Sequence, residues 1–182
     1  NAGFDWLCVD LEHTVTNIEQ AGDLIAIISA NNCAPLVRLS DNDPVQIKRI
    51  MDAGAHGIIV PMVKNRDDVE RAYKAMHYPN IGTRGVGLAR AQRYGADNGF
   101  EDYKKWLKEN AVMIVQIEHI DAVNNIDEIL SSSEVDGFII GPYDLSASMG
   151  IPGEFENEEF KKVMERLNEA ITAYPVPAGM HI

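Results

Sequence analysis

An acidic and histidine-bearing segment follows the first apolar run of the sequence. Asp10, Glu12 and His13 come directly after Trp6–Val9. An imidazole beside carboxylates is suited to accepting a proton near neutral pH, and a neighbouring carboxylate can orient it. The alternative is structural: His13 opens a helix or fills the core, and Asp10 and Glu12 cap that helix. The residue types alone leave both interpretations open.

Polar side chains also close later apolar runs. They are Arg38 after Ala34–Val37, Gln116 and Glu118 at the end of the run that begins at Val112, and Asp144 shortly after Gly137–Ile140. Arg38 could bind a substrate anion through its planar fork of donors, or it could be one half of a structural salt bridge. The sequence gives these two readings equal support.

Glu118 and Asp144 form a potential cation site. They lie 144 − 118 = 26 residues apart and follow successive apolar runs. Two carboxylates that converge repel each other unless a cation or protons lie between them. Oxygen ligands suit a hard divalent ion, Mg²⁺ or Mn²⁺. The alternative, two separately solvated carboxylates, is equally compatible with the spacing.

The composition bounds the class of protein. The chain has 182 residues, 46% of them hydrophobic, and a formal net charge of −12. This length predicts a single domain over residues 1–182. The negative charge argues against nucleic acid as a partner, and no apolar run reaches the roughly 18 residues of a membrane span. Cys8 and Cys33 lack CxxC spacing, which favours a reducing, cytoplasmic compartment.

Six short apolar runs alternate with amphipathic stretches. The runs predict strands near residues 5–9, 34–37, 57–61, 112–117, 137–140 and 177–182. The amphipathic stretches predict helices at 18–30, from Pro44, and at 65–76, 102–110, 121–130 and 157–174. The runs are nearly continuous rather than alternating, as in parallel strands that are covered on both faces. This pattern predicts an α/β fold.

The α/β fold is either a barrel or a doubly wound sheet. About 30 residues per unit suit a (β/α)8 TIM barrel of roughly 250 residues that lacks its first and last strands. A nucleotide-binding sheet would carry GxGxxG after its first strand, where this chain has Asp10–His13. The glycine-rich segment 83–95 follows no strand, so we expect an ordered loop there rather than a phosphate cradle. The absent initial Met and the apolar end at Ile182 also suggest an internal segment of a longer chain.

In a barrel, the carboxyl ends of all strands face one rim, and that rim carries the active site. The polar side chains described above would then converge there.

Several blocks of the sequence resemble one known family. They are GFDWLCVDLEH, PLVRLSDNDPVQIKRIMDAGAHGIIVPMV, RGVG, VQIE and GPYDLSASMG, in this order from Gly3 onward. Together they resemble the HpcH/HpaI class II pyruvate aldolases. The resemblance implies a (β/α)8 barrel, a homo-oligomer that is usually a hexamer, and a divalent metal cofactor, Mg²⁺ or Mn²⁺, with Co²⁺ and Zn²⁺ as further candidates.

The resemblance also implies roles for matching positions. Glu118 and Asp144 would bind the metal, and Gln116 and the backbone around Tyr143 and Asp144 would contact the keto acid. Arg38 would stabilise the transition state. His13 would accept the proton, and Asp52 would raise the basicity of His13. We expect Asp10 to orient His13 or its surroundings. Tyr143 departs from the small residue that some members carry, so substrate specificity does not transfer with the resemblance.

The expected reaction is cleavage of a 4-hydroxy-2-oxo acid to pyruvate and an aldehyde. No strand ends in a lysine, which disfavours a Schiff-base mechanism. Two alternatives remain: a CoA-thioester lyase of the citryl- or malyl-CoA type, for which the chain shows no basic patch, and a truncated keto-acid-binding paralogue without catalysis.

Overall fold

Two compact units make up the chain. Our computed structural model describes residues 3–181. Unit 1 runs to Ile59 and continues from Arg71 to Val112, and unit 2 comprises Val60–Glu70 and the chain from Met113 onward. The expectation of one domain over residues 1–182 therefore stays a prediction, and we describe each unit by itself.

The secondary structure alternates between strands and helices. The strands are β1 (Trp6–Asp10), β2 (Ala34–Arg38), β3 (Gly57–Val60), β4 (Val112–Ile117), β5 (Gly137–Ile140) and β6 (Ala178–Met180). The helices are α1 (Ile18–Ala30), α2 (Pro44–Ala53), α3 (Arg66–Met76), α4 (Gly99–Asn110), α5 (Ile120–Asn124), α6 (Ile126–Leu130), α7 (Pro142–Ser148) and α8 (Glu158–Ala173). All six predicted strands are confirmed to within two residues.

Three helical features differ from the sequence-based expectation. The expected helix at 121–130 is two short helices, because Asn125 leaves helical geometry with φ −104° and ψ 15°. Helix α4 begins at Gly99 instead of Asp102. Helix α7 was not predicted, because Gly141-Pro142 resembles a break in the sequence. Proline at the first helical position is nevertheless compatible with a helix, since its missing N–H would be unsatisfied there anyway.

Unit 1 is built on parallel strands covered by helices. Strands β1 and β2 pair in parallel, as do β2 and β3. Helix α1 packs on β1, β2 and α2, and Ile25, Val37 and Ile58 are fully buried. Asp43 caps α2 by accepting the N–H groups of the two residues after Pro44. The Asp43 cap and the apolar core fix where helix α2 begins after the end of β2.

Unit 2 repeats this arrangement. Strands β4 and β5 pair in parallel, as do β5 and β6. Helices α5 and α6 pack against α8, and Ile117, Ile126 and Ile129 are fully buried. The parallel pairing and the β/α alternation in both units confirm the α/β class.

The glycine-rich segment 83–95 forms a loop that ends in a 3₁₀ turn, Arg93–Gly95, and Gly95 adopts φ 83°. The expectation of an ordered loop is confirmed: the buried guanidinium of Arg84 donates to the carbonyl of Met76 and to the Tyr103 hydroxyl, at 3.1 and 3.0 Å.

Between residues 3 and 181, every helix is too short or too polar to cross a bilayer.

Candidate functional site

A bidentate ion pair joins the ends of β1 and β2. Asp10 and Arg38 face each other in the strand register. The Arg38 Nε and Nη2 groups donate to the two carboxylate oxygens of Asp10 at 2.9 and 2.6 Å. A third nitrogen, Nη1, lies 3.3 Å from Oε2 of Glu12. Arg38 is 7% exposed, so two carboxylates hold a nearly buried guanidinium in one orientation.

The Arg38 guanidinium dominates the electrostatics of this pair. Burial of Asp10 acts to raise its pKa, but the hydrogen bonds and the charge of Arg38, together with the backbone N–H groups of Glu12 and His13, outweigh burial. The pKa of Asp10 therefore lies below its ordinary value. The hydrogen bond that Arg38 donates to Asp10 is the main cause that raises the pKa of Arg38 above its ordinary value. Both groups are charged over the physiological pH range.

His13 lies beside this pair and is accessible. Its side chain is 61% exposed, and Nε2 lies 3.8 Å from Oε2 of Glu12. Asp10 was expected to orient His13 or its surroundings. Its carboxylate binds Arg38 and accepts backbone N–H groups of this segment, including that of Glu12 at 2.9 Å, and the expected role stays a prediction. The structure thus brings Asp10, Glu12, His13 and Arg38 together, with Arg38 at the centre.

Asp52 has other partners than His13. It lies in the last turn of α2, and its Oδ1 accepts from Arg84 Nη2 at 2.6 Å and from Gln92 Nε2 at 3.3 Å. Helix α2 starts after the carboxyl end of β2 and ends before the amino end of β3. Asp52 therefore lies towards the opposite edge of the parallel strands from His13 within unit 1, and the role that the family resemblance implies for it stays a prediction.

In unit 2, Glu118 presents a buried carboxylate. It follows β4 and is 1% exposed. Its Oε1 accepts the backbone N–H of Met62 at 2.7 Å, and its Oε2 accepts a short hydrogen bond from the side-chain amide of Gln116. A buried carboxylate is costly unless hydrogen bonds or a cation compensate the charge. The two donors supply part of this compensation.

Gly141 and Met62 shape the surroundings of this carboxylate. A Cβ atom on Gly141 would lie 2.8 Å from Oε2 of Glu118. Met62 adopts a left-handed backbone conformation with φ 52°, which orients its N–H towards Oε1. Neither residue is predictable as functional from the sequence, because a backbone donor and a missing side chain leave no chemical signature. The glycine and the Pro61-Met62 turn were the only available hints.

Asp144 and Tyr143 occupy the first turn of α7. Both are exposed, Tyr143 to 68%. The Tyr143 ring packs edge-on against Phe155, with centroids 5.0 Å apart. Within residues 3–181, no group of three or more His, Cys, Asp and Glu side chains is arranged to enclose a metal ion. The expected metal site has only two such side chains, Glu118 and Asp144, which is fewer than the three of such a group. The metal site therefore stays a prediction.

Three other histidines, His56, His77 and His119, have structural contacts. Nδ1 of His119 accepts the N–H of Asp121 and caps α5. His77 is buried and its Nδ1 lies 2.9 Å from the carbonyl of Tyr73. His56 packs against Trp106 with ring centroids 4.8 Å apart.

Comparison with known proteins gives a consistent assignment. Residues 1–179 match the model of the family described as HpcH/HpaI aldolase/citrate lyase. A relative named 4-hydroxy-2-oxo-heptane-1,7-dioate aldolase, from Shigella sonnei (strain Ss046), is 42% identical over 167 residues. This match covers 91% of the chain and 63% of the relative, so the chain spans less than two thirds of that protein's length.

Solved structures match nearly the whole chain. An HpcH/HpaI aldolase from Desulfitobacterium hafniense DCB-2 gives a TM-score of 0.86 at 30% identity, over 98% of this chain and 69% of that one. An HpcH/HpaI aldolase/citrate lyase family protein from Burkholderia cenocepacia J2315 gives 0.89 at 30% identity, over 98% and 71%. These are TIM-barrel proteins, which confirms the predicted fold class.

A more distant structure contains a metal. The protein CitE from Mycobacterium tuberculosis, in complex with magnesium and acetate, matches with a TM-score of 0.58 over 98% of this chain and 65% of that one. Its identity is 14%, so this likeness shows the fold alone.

Proposed function

Because the chain belongs to the HpcH/HpaI aldolase/citrate lyase family, we propose that it takes part in the metal-dependent, reversible cleavage of a 4-hydroxy-2-oxo acid to pyruvate and an aldehyde. The substrate named for the 42%-identical relative, 4-hydroxy-2-oxo-heptane-1,7-dioate, is the first candidate. The C3–C4 bond breaks, its electron pair forms the enolate of pyruvate, and C4 with its oxygen leaves as the aldehyde.

The observation that best supports this proposal is the environment of Glu118. Its carboxylate is buried, receives one donor on each oxygen and is closely approached by Gly141. A carboxylate offers about four lone-pair sites, so capacity for a ligand remains after these two hydrogen bonds. No salt bridge to Glu118 is found among the described residues, so no lysine or arginine of residues 3–181 competes with a bound cation for this carboxylate.

The residues present fit a hard divalent cation. In the proposal, Glu118 and Asp144 hold it through oxygen atoms, as Mg²⁺ and Mn²⁺ prefer. Such an ion supplies Lewis acidity, which stabilises negative charge on the 2-oxo oxygen. The Gln116 amide orients the Glu118 carboxylate and, in the proposal, contacts the keto acid together with the backbone around Tyr143 and Asp144.

Arg38 has the geometry of a preorganised positive charge. Asp10 occupies its Nε and Nη2 groups, and Glu12 lies near its Nη1. The guanidinium therefore cannot swing between rotamers, and its charge is fixed before substrate binds. We propose that it stabilises the enolate oxygen, a contribution that is commonly worth about 3 kcal/mol for one donor.

His13 serves as the proton acceptor in this scheme. Its imidazole is exposed to solvent, and its Nε2 lies 3.8 Å from Oε2 of Glu12. We propose that it removes the proton of the C4 hydroxyl as the C3–C4 bond breaks. General base catalysis of this kind contributes about 10²–10⁴-fold.

A metal-removal experiment tests the proposed function. Dialysis against a chelator should abolish pyruvate release from 4-hydroxy-2-oxo-heptane-1,7-dioate, and added Mg²⁺ or Mn²⁺ should restore it. A Glu118→Gln variant, which keeps the shape but loses the charge, should not be restored at the same metal concentration. Full turnover after chelation would refute the proposal. A parallel screen in which the protein cleaves citryl- or malyl-CoA thioesters but not the 4-hydroxy-2-oxo acid would also refute it.

The predicted homo-oligomer, a hexamer by family resemblance, also stays a proposal. Sedimentation of the purified protein at several concentrations measures the assembly directly, and a monomer throughout would contradict it.

A further inference from the structure

Met62 adopts a backbone conformation that its side chain does not explain. Its φ of 52° lies in the left-handed region, which costs a residue with a Cβ atom of order 1–3 kcal/mol. Its side chain is 42% exposed, so burial of the thioether does not compensate this cost. Another contact must favour this conformation.

The backbone N–H of Met62 supplies such a contact. It donates to Oε1 of Glu118 at 2.7 Å, across 56 positions of the sequence. Charge-assisted hydrogen bonds of this length are about twice as strong as neutral ones. The acceptor is 1% exposed, so water cannot readily replace the donor. The left-handed turn at Met62 thus directs a fixed dipole at a buried carboxylate.

The Met62 donor acts on one oxygen only. Oε2 of Glu118 is bound by the Gln116 amide and is closely approached by Gly141. The carboxylate is therefore fixed in position and rotation from two sides, while neither donor carries a positive charge. A lysine or arginine at either place would neutralise the carboxylate and compete with a bound cation.

We propose that Met62 is a positioning residue that prepares Glu118, through its backbone N–H, to bind a hard divalent cation. This inference rests on the proposed function and extends it: the amide group, not the side chain, of Met62 sets the affinity of the site. Partners that orient a metal ligand from behind typically change metal affinity 10–100-fold when they are lost.

The test separates the amide from the side chain, with Mn²⁺ as the probe. The dissociation constant of Mn²⁺ is measured by electron paramagnetic resonance on the purified protein, without substrate. Met62→Ala and Met62→Gly keep the N–H, so both should bind Mn²⁺ within about twofold of wild type. Replacing the amide at position 62 by an ester, through the α-hydroxy analogue of methionine, removes only the N–H and should weaken binding about tenfold.

The outcomes distinguish this inference from the proposed function. Glu118→Gln is measured in the same series and should lose most Mn²⁺ binding. If Glu118→Gln binds normally, Glu118 is not a ligand, and both the metal site and this inference are wrong. If Glu118→Gln binds weakly but the ester protein binds like wild type, only the role of Met62 is wrong. Loss of binding in Met62→Ala with a normal ester protein would assign the role to the thioether instead.

A proline variant gives a second, genetically simple measurement. Met62→Pro also removes the N–H, but it fixes φ near −65° and forces the turn to change. It should weaken Mn²⁺ binding at least as much as the ester. Wild-type affinity in a folded Met62→Pro protein would overturn the proposal.

Discussion

Gly141 and Glu118 are in such close contact that a methyl group would not fit between them. A Cβ atom at position 141 would lie 2.8 Å from Oε2 and 3.0 Å from the Cβ atom of Glu118. The backbone of Gly141, at φ −100° and ψ 90°, is accessible to any residue. The glycine is therefore required by the neighbouring side chain and not by its own dihedral angles.

Gly141→Ala should displace the Glu118 carboxylate. Overpacking of this kind costs about 1–3 kcal/mol of stability, and we expect Mn²⁺ affinity to fall at least about tenfold. The measurements are urea unfolding and Mn²⁺ titration. Gly22→Ala is the matched control, because nothing lies within 4 Å of a Cβ atom there. A Gly141→Ala protein with wild-type affinity would show that Glu118 tolerates the shift.

The Asp10–Arg38 pair should make stability depend on pH at the acid end. The pKa of Asp10 is lowered in the folded protein, so the folded state favours the ionised carboxylate. Its contribution is fully present above the unfolded-state pKa, about 3.9, and is lost as the pH falls through the lower folded-state pKa. The difference in unfolding free energy between wild type and Asp10→Asn should therefore shrink below about pH 4.

The control for this effect is a background without the arginine. In Arg38→Gln, the side-chain hydrogen bonds and the charge of Arg38 are absent, whereas burial, which raises the pKa of Asp10, and the backbone N–H groups of Glu12 and His13, which lower it, remain. The loss of the Asp10 contribution at acid pH should therefore be smaller in this background than in wild type. A pH-dependent difference of equal size in both backgrounds would contradict the role of Arg38.

Arg38→Lys should keep the fold but lose most activity. A lysine ammonium is a point charge on a flexible stem and cannot donate to both oxygens of Asp10 while also facing Glu12. We expect kcat to fall by about 10²-fold or more, the usual effect of losing one oxyanion donor, and Mn²⁺ affinity to stay within about twofold. Turnover like that of wild type would show that Arg38 is a structural ion-pair residue without a role in catalysis.

His13→Gln should slow cleavage without affecting stability. The side chain is 61% exposed, and exposed substitutions usually change stability by less than about 0.5 kcal/mol. Glutamine cannot accept the C4 hydroxyl proton, so cleavage should fall about 10²–10⁴-fold. Proton exchange at the methyl group of pyruvate involves no C4 hydroxyl and should survive better. Equal losses in both rates would point to a positional role for His13.

Asp52→Asn tests whether the buried pair with Arg84 stabilises the fold. Arg84 is buried, and removing the charge of its partner leaves the guanidinium uncompensated, which should cost about 3 kcal/mol. Asp127→Asn breaks the exposed pair with Arg166 and should leave the unfolding free energy nearly unchanged. A stable Asp52→Asn protein with a large loss of kcat would favour the catalytic role implied by the family resemblance.

The sequence by itself determined the strands, most of the helices and the residues that carry reactive groups. Apolar runs identified β1 to β6 to within two residues, because a strand covered on both faces must be apolar along its length. Asp10, Arg38 and Glu118 were predicted as candidates because the carboxyl ends of parallel strands meet at one rim, where an active site would lie. Helix α7 was missed because Gly141-Pro142 signals a break and a helix start equally well.

Only the tertiary structure decided which of these groups act on one another. Asp10 binds Arg38 instead of the nearby imidazole, because strand pairing places Asp10 opposite Arg38. Asp52 pairs with Arg84, because α2 carries it away from the end of β2. Glu118 accepts the backbone N–H of Met62, which nearly every residue type could donate. Its close contact with Gly141 requires that position 141 carry no side chain. Such contacts depend on where the folded chain passes, and spacing along the sequence does not encode that.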